Sequence, residues 1–280
     1  MKYILIIAFF ITTLFASYYE NGLKAYEYAK GMEEVQDWTI SENQYDSDPN
    51  QVNLLISLMG SGIDTSYKKA LWYFKKGVDN QDKKSQYFLG FMYEHAKGVE
   101  KNIIEAKKYY KLSAEQGYTK AQNALGEIYL QDKTYNKAIN YFNKAAKKGD
   151  SEAQNSLGKI YEYEKKDYKK ALEFYTKSAN QNNSDAQLNL ALMYKDAKGV
   201  EQDHKEAMRL FSLSAKAQNA DAQYYRGLMY FHGNGVEQNK NSAFRLWLIA
   251  SKLGSREAHD ALDELCTQSP WACVQRAREY

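Results

Sequence analysis

Two short spacings in this chain could carry nucleophilic chemistry. Ser-x-x-Lys occurs at Ser66 to Lys69 and at Ser156 to Lys159. In that arrangement a lysine amine can help to activate a serine hydroxyl for attack. With this many serines and lysines, chance alone predicts about two such pairs, so the spacing stands at background. The four histidines, His95, His204, His232 and His259, lie far apart and show no ligand spacing. They read as surface or groove residues. Gly233 to Val236 carries two glycines of a phosphate loop, but no strand precedes it. Cys266 and Cys273 are the only cysteines, and no second pair completes a zinc site. These residues assign no catalytic group, no metal ligand and no cofactor.

The two cysteines fit an oxidising compartment better than a catalytic role. On one unbroken helix they would lie about 10 Å apart along the axis, too far for a disulfide, which needs Cα atoms within about 7 Å. Ser269 and Pro270 lie between them and look like an N-cap and a first helical position. One helix should therefore end near Cys266 and another start at Pro270, bringing the sulfurs together as a C-terminal cap. The alternative is two unpaired buried thiols. The N-terminus points the same way. Lys2 is followed by an apolar run from Ile4 to Phe15, then the small residues Ala16 and Ser17. That is the pattern of a secretory signal over residues 1–16, too short for the about 20 apolar residues of a bilayer span. The alternative there is an uncleaved membrane anchor. A periplasmic or secreted protein is expected, with no membrane span after cleavage. The formal charge of +3 over 280 residues is too balanced to argue for nucleic acid.

The elements that would position any of these groups are helical, and they repeat. Six segments align: Ser85 to Tyr93, Ala121 to Tyr129, Ala153 to Tyr161, Ala186 to Tyr194, Ala222 to Tyr230 and Ala258 to Cys266. Their starts are 36, 32, 33, 36 and 36 residues apart, a period that marks solenoids and arrays. Each segment predicts one helix, helix A. Its small first residue, the leucine four later and the tyrosine eight later share a face. A glycine beside that leucine lets a second backbone come close, which explains its place in a helix despite a cost of about 1 kcal/mol against alanine. Helix B follows, marked by Ala70, Ala106, Ala138, Ala171, Ala207 and Ala243. Four residues on stands a large ring: Phe74, Tyr110, Phe142, Tyr175, Phe211 or Trp247. Gly117, Gly149, Asn182 and Gly254 stand where helix B should stop, while Gln81 and Gln218 depart from that pattern. The differences in period fall in the loop between A and B, which in three repeats reads Lys97-Gly-Val-Glu-Lys, Lys198-Gly-Val-Glu-Gln and Asn234-Gly-Val-Glu-Gln. Insertions there should leave the stacking intact. Before the repeats, Leu23 to Glu34 predicts a helix, Asp46 to Asn50 a turn, and Val52 to Met59 the first helix of a divergent opening repeat.

The Ala-x-x-x-Leu-Gly-x-x-Tyr segment, the Gly-Val-Glu loop and the alanine helix after it resemble Sel1-like repeats, and the two shorter repeats are similar to tetratricopeptide repeats. The resemblance covers about residues 52–280. It implies an all-α fold, a right-handed superhelical solenoid of antiparallel helix pairs. The expected organisation is a signal peptide at 1–16, an N-terminal capping segment at 17–50, and a solenoid of about six to seven repeats at 51–280. The chain also resembles the cysteine-rich repeat proteins of Helicobacter and its relatives, exported proteins some of which are regarded as β-lactamases or penicillin binders. That resemblance implies an alternative activity, β-lactam binding or hydrolysis. Against it, those proteins carry a cysteine pair in every repeat and this chain in the last alone. Ser-Asp-Asn and Lys-Thr-Gly, the other elements of serine β-lactam enzymes, are absent.

In tetratricopeptide-like solenoids helix A lines the concave surface. With the small residue as position zero, the inward positions are −1, +2, +6, +9 and +10. Position +2 reads Tyr87, Asn123, Asn155, Leu188 and Tyr224, and position +6 reads Phe91, Glu127, Lys159, Leu192 and Leu228. These ten vary from repeat to repeat while the packing positions do not, as a recognition surface requires. They are the candidate binding residues, for a protein or peptide partner. Asn123 and Asn155 are the amides expected to bond a peptide backbone.

Overall fold

The computed structural model of the protein describes residues 18–34, 49–269, 272 and 274. The expected signal peptide and Cys273 lie outside the described residues. All regular structure among them is helical: α1 (18–34), α2 (Pro49–Asp79), α3 (Lys83–Glu94), α4 (Ile103–Glu115), α5 (Thr119–Gln131), α6 (Tyr135–Ala146) and α7 (Ser151–Lys159). Then come α8 (Tyr168–Ala179), α9 (Ser184–Lys195), α10 (His204–Lys216), α11 (Ala220–His232), α12 (Lys240–Lys252) and α13 (Arg256–Gln268). The chain divides into two compact units, Met1–Tyr141 and Phe142–Tyr280. The odd-numbered helices from α3 onward are the predicted helices A, and α4, α6, α8, α10 and α12 the predicted helices B.

Three of the A–B pairs, α3–α4, α7–α8 and α11–α12, are built on one close approach. A β-carbon on Gly90 would lie 2.7 Å from Cδ1 of Tyr110, one on Gly158 2.5 Å from Cδ1 of Tyr175, and one on Gly227 2.3 Å from Nε1 of Trp247. Those distances are shorter than any van der Waals contact, so in these three pairs only glycine lets the helix-B ring approach the helix-A backbone, whereas the α9–α10 pair, built around Phe211, carries Ala191 at the same offset. Tyr110, Tyr175 and Phe211 are fully buried, as are the helix-B alanines four residues before them. Around this contact, two buried polar side chains recur. The glutamine at position +1 donates to the last-turn carbonyl of the preceding helix B, from Gln122 to Ala114, Gln154 to Ala146 and Gln187 to Ala179. A serine on helix B donates to the first carbonyl of its own helix A, from Ser113 to Lys83, Ser178 to Ser151 and Ser214 to Ser184. The glutamines add a donor to carbonyls at a helix C-terminus, where intrahelical partners run out, and the serines tie each helix B to the start of its helix A. The turns after α2 and α10 keep the common geometry although glycine is missing, because Gln81 (φ 58°) and Gln218 (φ 60°) take the left-handed conformation that Gly117 takes elsewhere.

The loops absorb the differences in period as expected. The carbonyl of the helix-A tyrosine accepts from the backbone N–H that opens helix B, whatever the loop length: Tyr93 from Asn102, Tyr129 from Thr134, Tyr161 from Asp167, Tyr194 from Asp203 and Tyr230 from Asn239. Between Tyr161 and Ala171 there is one residue more than between Tyr129 and Ala138. That residue is taken up as a π-helical turn, Ile160–Glu164, which continues α7.

The opening differs from expectation. Val52 to Met59 is not a separate helix, because α2 runs unbroken from Pro49 to Asp79. Among the described residues none before Gln81 has a positive φ, and the Gly-Val-Glu loop has no counterpart there, so nothing stops the helix. Asp46 to Asp48, part of the expected turn, lies outside the described residues, and Pro49 and Asn50 are already helical. The place of helix A is taken by α1. Gly22 faces Phe74, with a β-carbon position 2.7 Å from its ring, and Tyr26 packs on Tyr67 at 5.3 Å between centroids.

Two glycine-to-alanine changes should therefore have opposite signs. Gly158→Ala gains helix propensity but drives a methyl into Tyr175, and a net loss of about 1–3 kcal/mol is expected. Gly31→Ala, on α1 with nothing within 4 Å of the new methyl, should gain about 0.5–1 kcal/mol. Urea unfolding of the two variants against the parent measures both, and the same sign for both would reject the close-approach account.

Candidate functional site

The helix-A rule assigns ten residues to a binding face, and the structure separates them into three kinds. In the first unit, Tyr87 and Phe91 are half-buried in an aromatic cluster. Tyr87 meets Tyr118 at 5.3 Å and Tyr110 at 5.6 Å between centroids, and Phe91 meets Tyr26 at 6.0 Å and His95 at 4.1 Å. Asn123 and Glu127 on α5 are also half-buried. In the second unit, Lys159 is exposed and Leu192, Tyr224 and Leu228 are half-buried, whereas Leu188 is 9% and Asn155 6% exposed. The Asn155 amide is already engaged, its Oδ1 accepting from Nδ2 of Asn189 on the next helix A at 3.0 Å. It ties α7 to α9 and does not stand open to a peptide.

A cleft of about 330 Å³ forms where α11 and α13 lie side by side in the second unit. From α11 come Tyr224 (+2), Leu228 (+6), Phe231 (+9) and His232 (+10). From α13, counting from Ala258, come Glu257 (−1), Asp260 (+2), Glu264 (+6) and Gln268 (+10). The inward positions of two successive helices A therefore make its walls. Trp247 on α12 closes the floor, its indole N–H donating to the Tyr224 carbonyl at 3.1 Å. Glu257, Asp260 and Glu264 are exposed on one face of α13, and among the described residues no lysine or arginine pairs with them. Their field is felt within the cleft: burial, then Glu257, Glu264 and Asp260, push the Tyr224 hydroxyl above the usual tyrosine range. Asp185 and Asp221 hold position −1 on α9 and α11, where a carboxylate suits the helix N-terminus. Partial desolvation, then Glu257 and Asp185, raise the Asp221 carboxyl. Sequence reasoning follows positions +2 and +6 only as far as α11. The same count carried into the last repeat yields Asp260 and Glu264.

Other polar groups have structural roles. Glu162, 3% exposed, sits in the π-helical turn. It accepts from the Tyr175 hydroxyl at 2.9 Å and from the Lys198 ammonium at 2.8 Å. Glu33 does the same in the first unit, accepting from Tyr67 at 2.8 Å and Lys97 at 2.7 Å. Lys97 and Lys198 are the lysines that open the Gly-Val-Glu loops, so each loop is pinned by a carboxylate of the helix A before it. Lys69 and Lys159, of the two Ser-x-x-Lys pairs, are exposed on helix surfaces. His95 is exposed beside Glu94, and His232 stands at the cleft rim. Among the described residues no three His, Cys, Asp or Glu side chains gather as a metal site, and no helix is long and apolar enough to cross a membrane.

The Sel1 repeat profile matches six consecutive segments, residues 55–82, 83–118, 119–150, 151–183, 184–219 and 220–255, and the chain belongs to the Sel1 repeat family. Its structure is similar to that of a Sel1 repeat protein from Oxalobacter formigenes, 29% identical, with a TM-score of 0.66 over 71% of this chain and 84% of that one. Cysteine rich protein B of Helicobacter pylori is 25% identical, with a TM-score of 0.38 over 45% of this chain and 92% of that one. A sel1-like repeat-containing protein, L21, of Acanthamoeba polyphaga mimivirus is 47% identical over 66 residues, which are 24% of this chain and 12% of that protein.

The packing roles of Asn155 and Tyr175 are testable. Asn155→Ala strands the Asn189 amide and should cost about 1–3 kcal/mol. Tyr175→Phe leaves the buried Glu162 with one donor fewer and should cost a similar amount. Burial, then the charge and the hydrogen bond of Glu162, hold the Tyr175 hydroxyl far above its ordinary pKa. Below about pH 10 the phenol is protonated in both folded and unfolded chains, and its contribution is intact. Above that, the unfolded chain ionises and the folded one does not, so stability falls as pH rises. Tyr175→Phe should make that alkaline fall shallower in denaturant titrations at pH 9 to 11. An unchanged slope would remove Tyr175 from the account.

Proposed function

From its place in the Sel1 repeat family, we propose that this chain is an exported scaffold holding a protein or peptide partner on the inward faces of its helices A. The observation that carries this is the α11–α13 cleft. Its walls are the positions where the repeats differ, on a frame whose buried glycines, alanines and rings recur. Partners differ in side chains more than in backbone, so a constant frame with variable inward residues is suited to selecting one of them. A photo-crosslinking residue placed at Leu228 or Glu127 in cells should capture a discrete partner. The same residue at Ile104, 79% exposed on α4, should not. Adducts from Ile104 with none from Leu228 would reject the helix-A face.

Export is supported by the Lys2 and Ile4–Phe15 pattern and by the cysteine pair. α13 ends at Gln268, Ser269 is extended, and the Ala272 N–H returns to the Ser269 carbonyl at 3.0 Å. A helix end between the two cysteines is what a bridge from Cys266 to Cys273 requires. Such a bridge closes a short loop after α13 and should add about 2.5 kcal/mol by restricting the unfolded chain. Denatured, unreduced protein from its native compartment should show no free thiol. Two reactive thiols per chain would reject both the bridge and the oxidising destination.

A further inference from the structure

We propose that the cleft between α11 and α13 receives the arginine or lysine side chain of a partner peptide, with the acidic row at position −1 meeting further basic residues of the same segment. This deepens the scaffold reading and rests on it.

Three features of the cleft converge on that chemistry. Its floor and one wall are aromatic, from Trp247, Phe231 and Tyr224, and a guanidinium or ammonium is attracted to such faces. The opposite wall is Glu257, Asp260 and Glu264, spaced three and four residues apart so that all three share one side of α13. Like charges so placed repel, and no described cation relieves them. A basic side chain entering the cleft would supply the missing counter-charge at the open end. Its aliphatic stem would lie along Leu228 and the rings, as long basic side chains lie on apolar surface.

An extended segment is favoured over a free cation because the negative charge does not end at the cleft. Asp185, Asp221 and Glu257 recur at the same position on α9, α11 and α13, close enough for Asp185 and Glu257 both to raise the Asp221 carboxyl. A chain laid across successive helices A meets one carboxylate per helix. Other neighbouring groups do not cancel this charge. Gln268 is uncharged, and among the described residues no lysine or arginine lines the cleft.

The test uses the full mature chain and three blocked heptapeptides, identical except for arginine, citrulline or glutamate at two central positions. Citrulline keeps the shape of arginine and removes its charge. Calorimetry at low salt should show the arginine peptide binding roughly tenfold or more tighter than the citrulline peptide, with the advantage shrinking as salt is raised and no binding of the glutamate peptide. The double variant Asp260→Asn, Glu264→Gln should lose that advantage while melting no lower than the parent, since it relieves repulsion between exposed groups. Equal binding of arginine and citrulline peptides, or an advantage that survives the double variant, would overturn the inference while leaving the helix-A face as a peptide site. Spermidine binding as tightly as the arginine peptide would overturn the peptide assignment in favour of a free cation. Binding by a chain ending at Val274 but not by the full chain would overturn it in favour of the chain's own arginines, Arg276 and Arg278. A failure of the scaffold reading itself is separately visible, as crosslinks from Ile104 and none from Leu228.

Discussion

The contact on which the rest of the structure depends is the helix-B ring lying on the backbone of helix A. Tyr110, Tyr175 and Trp247 come against helix A at Gly90, Gly158 and Gly227, at distances no methyl could tolerate, and the smaller Phe211 is buried in a repeat that carries Ala191 there. Once the ring is seated, its hydroxyl or indole N–H arrives at a fixed place and needs a partner there. Tyr110 donates to Glu94 at 2.6 Å and Tyr175 to Glu162, both at position +9, while Trp247 donates to a carbonyl and its repeat carries Phe231 at +9. The repeat with Phe211 carries Lys195 there. The identity of the buried ring thus governs a residue on the inward face, so packing and the recognition surface are not independent.

That dependence explains how the chain tolerates insertions. The A–B contact is made in the body of each helix, and the carbonyl of the helix-A tyrosine holds the start of helix B, so added residues can go only between those two anchors. Long loops are filled by the Gly-Val-Glu turn, pinned by Lys97 on Glu33 and Lys198 on Glu162. The single extra residue after Tyr161 is too short for a loop of its own and widens the last helical turn instead. Glu162 is buried in that turn, and its two donors offset the cost of desolvating a carboxylate.

The frame is legible in the sequence because its determinants are local and repeated. The small residue, leucine, glycine and tyrosine of helix A, and the alanine and ring of helix B, each appear at a fixed offset, and the structure places them in contact. Legibility fails where a residue's role depends on one particular neighbour. Asn155 and Asn123 look alike by offset, yet Asn155 faces Asn189, a residue at +3 that the periodic pattern does not single out. The unbroken α2 is hidden for a different reason. The opening segment reads Gly60-Ser-Gly-Ile-Asp-Thr-Ser where the other repeats have a loop, poor helix formers that are helical nonetheless, and α1, with no sequence match to helix A beyond Gly22, fills the vacant place by shape. The disulfide is inferred from a turn signal at Ser269 and Pro270, and α13 ends just before it, at Gln268.

The site is half legible because its two ingredients obey different rules. Which positions face inward follows from helical geometry, so Tyr224 and Leu228 emerge from the offsets, and Asp260 and Glu264 are within reach of the same count. What those positions recognise follows from charge summed over several helices, which no single repeat reveals. Position −1 reads Lys84, Lys120, Glu152, Asp185, Asp221 and Glu257 along the chain, basic first and acidic after. A carboxylate there is favoured by the helix N-terminus whatever the partner, so each acid alone is explained by local stability. The two lysines receive no such support, and the dipole cannot account for Asp260 and Glu264, which lie further along α13. The departures from what helix stability would select are therefore the informative residues. They place cations at the start of the repeat array and carboxylates beyond the first turn at its end, where an acidic wall faces aromatic rings.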